Sequence, residues 1–304
     1  MSSAATAGAQ RTLTQRRMWF LAARPATLPA SISPVLVGIA AAGHDQRIRV
    51  AAALLALVVA IALQVGVNYA NDYSDFVHGA DTPARIGPLR AAASGLVPAR
   101  QVLLAALLAF AVAAAAGLAL SLLTYPWLIA VGAACIAAAW LYTGGPRPYG
   151  YAGFGELSVF IFFGLVATCG TAYVNEGRVT LLALLGGIAM GCFACSILLL
   201  NNIRDVDTDS AAGKRTLAVR IGRTRARTLL FVLVLVAYAA PVAAVASGRA
   251  TAWLLLTLVT APLMLVPLRN SAKRTGPPLI RALVITARAM AAFAVVWAAT
   301  LSIS

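Results

Sequence analysis

Long apolar runs separated by short basic loops constrain this chain more than any other feature. Runs of roughly 17–25 residues are long enough to cross a hydrocarbon core of about 30 Å as helices. In lipid every backbone N–H and C=O must be satisfied within its own segment, which leaves the helix as the spanning element here. The runs predict nine spans, at about residues 19–42, 50–76, 101–123, 127–142, 153–174, 179–203, 226–247, 250–269 and 279–301. Only 11% of the residues are charged, against about 25% in a soluble domain. No polar stretch approaches the roughly 50 residues that a separate soluble domain needs.

The expected fold is therefore all-α: a polytopic membrane protein whose nine helices surround a central cavity. Residues 1–17 read as a disordered cytoplasmic tail, and residues 18–304 as a single transmembrane domain. Arginines ahead of an apolar run also resemble a signal peptide, but the run from Met18 to Gly43 is too long for one. Pro25, Pro29 and Pro34 predict an irregular entry into the first span.

A net charge of +15 raises the question of nucleic acid; the placement of the charge answers it without one. With the N-terminus inside, the outer loops hold only Arg47, Arg49, Arg178 and Arg249, and Arg288 falls within the last span. The remaining nineteen of the 24 Lys and Arg lie on the inner side, as cytoplasmic loops require. This predicts a multi-pass protein of the cell membrane.

The chain has nine carboxylates, and most of them gather at two span ends. The first stretch carries Asn68, Asn71, Asp72, Asp75 and, beyond it, Asp81; the second carries Asn201, Asn202, Asp205, Asp207 and Asp209. At 100° per residue, Asn68, Asn71, Asp72 and Asp75 share a helix face about 100° wide, and Asn202, Asp205 and Asp209 share another. Asp207 lies off that face and reads as solvated. Ionisable residues at membrane depth are costly and usually functional. Two faces of hard oxygen ligands suit Mg²⁺, which binds one or two carboxylates and completes its shell with water and substrate phosphate. Asp72 is a second candidate ligand or a neighbour that orients one.

Arg85, Arg90, Arg204, Lys214 and Arg215 lie near these acids in sequence and would neutralise the rest of a diphosphate. A Gly- and Pro-rich loop on the same side holds Tyr142, Arg147, Tyr149, Tyr151 and Glu156, a set able to bind an aromatic acid. Each stretch is followed by a basic, Gly-containing loop and four helices separate the two, which suggests two four-helix halves plus a ninth helix. Cys192 and Cys195 form a C-x-x-C within a helix and read as small buried residues. No His/Cys cluster for zinc, Walker loop or dinucleotide fingerprint is present.

In order along the chain come Ala23-Arg24-Pro25-x-Thr27-Leu28-Pro29, the Asn-Asp-Tyr-x-Asp-x-x-x-Gly-x-Asp of 71–81, Arg85-x-Gly87-Pro88-x-Arg90, Tyr142-Thr-Gly-Gly-Pro146, and Asn201-Asn202-x-Arg204-Asp205-x-x-x-Asp209 with Gly213-Lys-Arg-Thr-Leu-Ala-Val-Arg220. Together these resemble the UbiA-type intramembrane prenyltransferases, across essentially all the chain after residue 18. Five residues between Asp75 and Asp81 are similar to the dihydroxynaphthoate branch, where the 4-hydroxybenzoate branch usually has three.

The resemblance implies Mg²⁺ held through Asn71, Asp75, Asp81, Asp205 and Asp209, a polyprenyl diphosphate donor and an aromatic acid acceptor. Arg24, Arg147 or Arg288 would hold the acceptor's carboxylate. A prenyltransferase with another acceptor, such as 4-hydroxybenzoate, is the nearest rival reading, and a cation-coupled transporter is the rival from another class. A CDP-alcohol phosphotransferase lacks support, since its Asp-Gly-Ala-Arg run is absent.

Overall fold

The structure, a computed structural model, describes residues 15–44, 48–79, 90–273 and 275–303. Among the described residues ten helices follow in order: α1 (Gln15–Ala22), α2 (Pro29–Gly43), α3 (Val50–Val77), α4 (Ala99–Leu123), α5 (Leu128–Leu141), α6 (Gly155–Glu176), α7 (Leu181–Ala211), α8 (Leu217–Ala246), α9 (Ala252–Lys273) and α10 (Pro278–Ser302). No strand occurs among the described residues. Of the tail expected over 1–17, residues 1–14 lie outside the described residues, while Gln15, Arg16 and Arg17 already belong to α1.

Among the described residues seven helices are long and apolar enough to cross a membrane, and α1 with α2, bent by 46°, makes an eighth when the pair is counted as one broken span. The ninth expected span is shorter than predicted. α5 has 14 residues, about 21 Å of helix, less than the hydrocarbon thickness of about 30 Å. It stops because the chain turns back at once: the Gly144 and Gly150 N–H groups donate to the carbonyls of Trp140 and Tyr142, both at 2.9 Å.

The bend in the first span follows from its prolines. Arg24 adopts a left-handed conformation (φ 54°, ψ 60°), a 3-10 turn runs over Pro25–Thr27, and Pro29 opens α2 at the position where its missing N–H costs nothing. Near the start of α8, Gly222 at φ 76° and ψ 159° breaks the helix after its first few residues. Only glycine takes that conformation without strain.

α7 is the central helix. Of its apolar stretch 72% is buried, and no other long span exceeds 44%. On one flank its Phe193 meets Tyr238 of α8 and Phe293 of α10, with ring centroids 5.6 and 5.3 Å apart. Trp297 stacks on Phe293 at 5.7 Å. On another flank α6 approaches so closely that a Cβ on Gly164 would lie 2.5 Å from the Gly191 Cα. Small residues permit such approaches where no hydrophobic drive exists between helices in lipid. Around this contact α6 widens into a π-helical stretch over Phe160–Val166, a feature frequent at functional sites.

Candidate active site

α3 and α7 both end in their Asn/Asp stretches, and Arg90–Ala92 and Lys214 from the described segments downstream return to the end of α3. A cavity of about 740 Å³ opens beneath them. Its polar end is lined by Arg24, Asn68, Asn71, Tyr142, Tyr149, Asn201 and Arg204, so both stretches face one space. From there it continues between α2, α3, α4, α5 and α6. Along α3 the lining runs from Asn71 to Ala56, a length of about 22 Å. Small residues keep it wide: Ala113, Ala114 and Gly117 on α4, Gly132 and Ala133 on α5, and Gly170 on α6. The result is a long apolar tunnel with a charged mouth.

At the mouth Asp75 is the hub. One of its oxygens pairs with Arg90; the other accepts from the Tyr151 hydroxyl at 2.5 Å and from Lys214 Nζ at 2.8 Å. Lys214 also sits over the Tyr151 ring, 4.4 Å from its centre. Thus Lys214, from the loop after α7, reaches across to the end of α3. The Arg215 N–H donates to the Tyr151 carbonyl at 2.8 Å, tying the same loop to the one before α6. Asp205 is gripped by its neighbour Arg204, whose Nε and Nη2 donate to both carboxylate oxygens at 2.7 and 2.5 Å. Arg204 Nη2 also donates to Asn201 Oδ1 at 2.7 Å. Asn71 Oδ1 accepts from the Thr143 hydroxyl at 2.6 Å.

Several residues are used differently from the reading of the sequence. Both oxygens of the buried Asp72 accept backbone amides, from Ala91 at 2.8 Å and Ala92 at 3.1 Å. Asp72 therefore fastens the segment that begins at residue 90 to α3, with one amide on each carboxylate oxygen. Asn202 shares a face with Asp205, yet its Nδ2 donates to Glu156 Oε1 at 2.8 Å. Tyr149 lines the cavity while its hydroxyl donates to the Ala138 carbonyl at 2.8 Å. Of the three arginines considered for an acceptor carboxylate, Arg24 alone lines the cavity. Arg147 and Arg288 are exposed elsewhere, and Arg215 is exposed beside the mouth.

Asp207 is solvated as expected, pairing with Arg223 at 2.8 Å. Asp209 is half-buried at the end of α7, where its carbonyl accepts the Lys214 N–H at 2.8 Å. Asp81 and Arg85 lie outside the described residues. Cys192 and Cys195 are buried and free. Tyr151 reads in the sequence as part of a set for an aromatic acid, and its hydroxyl instead donates to Asp75; Thr143, in the same Gly/Pro-rich loop, carries no signal of its own.

The donor set suits a hard divalent cation. Carboxylate and amide oxygens come from two helices at one mouth, and among the described residues no three His, Cys, Asp or Glu form a closed metal cage. Mg²⁺ needs only one or two carboxylates when phosphate oxygens complete its shell. The carboxylates most suited to it, Asp75 and Asp205, are held here by Arg90, Lys214 and Arg204. These are the side chains that an arriving diphosphate would attract.

A helical membrane protein with an acidic and basic mouth over an apolar tunnel is built to present a charged head group attached to a long lipid tail. The chain belongs to the UbiA prenyltransferase family, whose model matches residues 31–285. It is 50% identical over 287 residues to a Mycobacterium tuberculosis protein named 1,4-dihydroxy-2-naphthoate octaprenyltransferase, covering 93% of this chain and 96% of that one. An Escherichia coli protein of the same name is 36% identical over 224 residues, covering 72% of this chain and 73% of that one. Among solved structures, a UbiA homolog from Aeropyrum pernix superposes with a TM-score of 0.69 at 16% identity, covering 90% of this chain and 97% of that one. A homolog from Archaeoglobus fulgidus, solved with DMAPP and Mg²⁺, gives 0.60 at 16% identity, covering 94% and 100%. At such identities the structures speak for the fold.

Proposed function

We propose that this chain transfers a polyprenyl group from a polyprenyl diphosphate to 1,4-dihydroxy-2-naphthoate, releasing diphosphate and CO₂ and giving a demethylmenaquinol. The reading rests on one conjunction: relatives carrying that activity in their names match the chain over almost its whole length, and both Asn/Asp stretches open onto one apolar tunnel. The cell membrane, with the N-terminus and the mouth on the cytoplasmic side, is the location that the basic loops support.

Asn71, Asp75, Asp205 and Asp209 would hold the divalent cation, with Asp81 beyond the described residues. Bound there, Mg²⁺ supplies Lewis-acid stabilisation of the negative charge on the departing diphosphate. Arg90, Lys214 and Arg204 add charge-assisted hydrogen bonds to the same oxygens, and act most strongly on the charge that grows as the bond breaks. The allylic C–O bond breaks with its electron pair on the diphosphate. The electron-rich ring carbon that bears the carboxylate attacks the allylic carbon. Loss of CO₂ returns that bond's electron pair to the ring and restores its aromaticity.

Arg24 faces the cavity and pairs with the acceptor's carboxylate. The rings of Tyr142 and Tyr149, edge to face at 5.6 Å, flank the space where a planar acceptor lies. The tunnel takes the isoprenoid tail and keeps water from the cation.

The test is a product assay. Purified protein receives 1,4-dihydroxy-2-naphthoate, a polyprenyl diphosphate and Mg²⁺, and the lipid extract is read by mass spectrometry. The expected product is prenylated and lacks the carboxylate; EDTA stops its formation and added Mg²⁺ restores it. A product formed only with 4-hydroxybenzoate moves the acceptor assignment. Uptake of a cation into vesicles without any product replaces the reading by transport.

A further inference from the structure

Arg288 stands ten residues into α10, about 15 Å along a helix that crosses the membrane. It is exposed, and it does not line the cavity, although Ile280, Leu283 and Val284 of the same helix do. The exposed positions of α10 are Arg281, Arg288, Val295, Ala299 and the terminal Ser302, spaced by seven, seven, four and three residues on one stripe. On a helix that crosses the membrane, an exposed stripe off the cavity meets lipid. Among the described residues no carboxylate or hydrogen-bond partner meets Arg288. An unpaired guanidinium at this depth costs about 2.5–3.5 kcal/mol even by the mildest scale. A position that expensive calls for a counter-charge.

Among the described residues the protein does not hold one: Asp205 and Asp207 of α7 are engaged by Arg204 and Arg223. The chain has no Asp or Glu after Asp209, so α8, α9 and α10 are free of acids. A second copy packed on the same face would bring another Arg288 and no carboxylate at that depth. The counter-charge therefore comes from the membrane. Helical side chains lean toward the helix N-terminus, and the N-terminus of α10 lies on the side of the basic inner loops. Long arginine stems snorkel in that direction. Arg281, two turns nearer that end, lies about 10 Å away along the same stripe.

We propose that Arg281 and Arg288 form a binding site for the phosphate of an anionic phospholipid of the cytoplasmic leaflet, outside the reaction cavity. Arg281 meets the head group at the interface, and Arg288 reaches up from the hydrocarbon to the same phosphate. The acyl chains run down the helix from Arg288 past Ala292 toward Val295. The lipid thus covers the one stripe of α10 that neither the core nor the cavity uses.

Native mass spectrometry of the whole protein, released from vesicles of phosphatidylglycerol and phosphatidylcholine in equal parts, tests this. The wild type retains phosphatidylglycerol in preference. Arg288→Gln and Arg281→Gln each bind it about five-fold more weakly, the factor that about 1 kcal/mol per basic residue gives, while Arg288→Lys keeps most of the preference. Prenyl transfer in Mg²⁺-containing detergent, where no phospholipid is supplied, serves as the folding control for each variant. Equal retention of the two lipids by the wild type overturns the proposal. So does unchanged phosphatidylglycerol binding by Arg288→Gln. A raised KM for the polyprenyl diphosphate in Arg288→Gln, with lipid retention unaltered, transfers the site to the donor substrate. Association of the wild type into dimers that Arg288→Gln abolishes, again with lipid retention unaltered, replaces the lipid by a second copy.

Discussion

Asp75 and Asp72 stand three residues apart and do different work. Asp75 faces three donors that a substrate phosphate could equally use, while Asp72 spends both oxygens on backbone amides. Asp75→Asn and Asp205→Asn should each lower kcat by at least about 100-fold, the scale on which charged stabilisation of a transition state operates, in protein that still elutes as a folded species from size exclusion. Rates within a few-fold of wild type would remove both residues from the cation site. Asp72→Asn should behave otherwise. It weakens the fastening of the 90–92 segment by about 1–3 kcal/mol, so the melting temperature falls, while the Mg²⁺ concentration for half-maximal rate stays where it was. A shift in that midpoint would make Asp72 a ligand. Spacing alone separated Asp207 from its neighbours correctly, because face membership follows from 100° per residue. It did not separate Asp72 from Asp75 or Asn202 from Asp205. Their partners are a backbone turn nineteen residues on and a carboxylate 46 residues back, and helix geometry holds no information about which loop will fold over it.

At the scale of the elements, periodicity and length carried most of the fold. Eight of the nine predicted spans have helices long and apolar enough to cross, and the proline-broken entry is where Pro25 and Pro29 put it. Hydropathy did not foresee that α5 is short or that α6 turns π-helical. An apolar run reports only that a segment avoids water. The early end of α5 depends on Gly144 and Gly150 folding back on Trp140 and Tyr142, and the π stretch accompanies the close contact with Gly187 and Gly191 of α7. α5 nevertheless supplies a wall of the tunnel, and Gly132 on it faces open space, since an added Cβ would meet nothing within 4 Å. Gly132→Phe should therefore fold normally and narrow the tunnel. Its kcat/KM should fall about ten-fold or more with octaprenyl diphosphate and stay near wild type with farnesyl diphosphate, since a blocked pocket discriminates by roughly 1–3 kcal/mol for each misfitting group. Equal losses with both donors would mean that the tail does not run along α5.

For the whole molecule the decisive property is polarity across the membrane. The mouth gathers Asp75, Asp205, Arg90, Arg204 and Lys214 at the ends of α3 and α7, and the loops at that end carry nineteen of the 24 basic residues if the N-terminus lies there. At the opposite end the described loops are short, and Arg49 is held by its N–H on Asn175 Oδ1 at 3.1 Å. A charged head group and an anionic aromatic acid can then meet only from the side of the basic loops, which must be the cytoplasm if basic loops are retained there. Single cysteines make the orientation measurable, because the four native thiols are buried or half-buried and slow to label. Arg178→Cys and Arg249→Cys, both at exposed positions beyond the far ends of α6 and α8, should react with a membrane-impermeant maleimide in intact cells. Arg147→Cys and Lys273→Cys, exposed on the side of the mouth, should react only after permeabilisation. The reverse pattern would turn the mouth outward, and the diphosphate would then have to arrive from outside the cell.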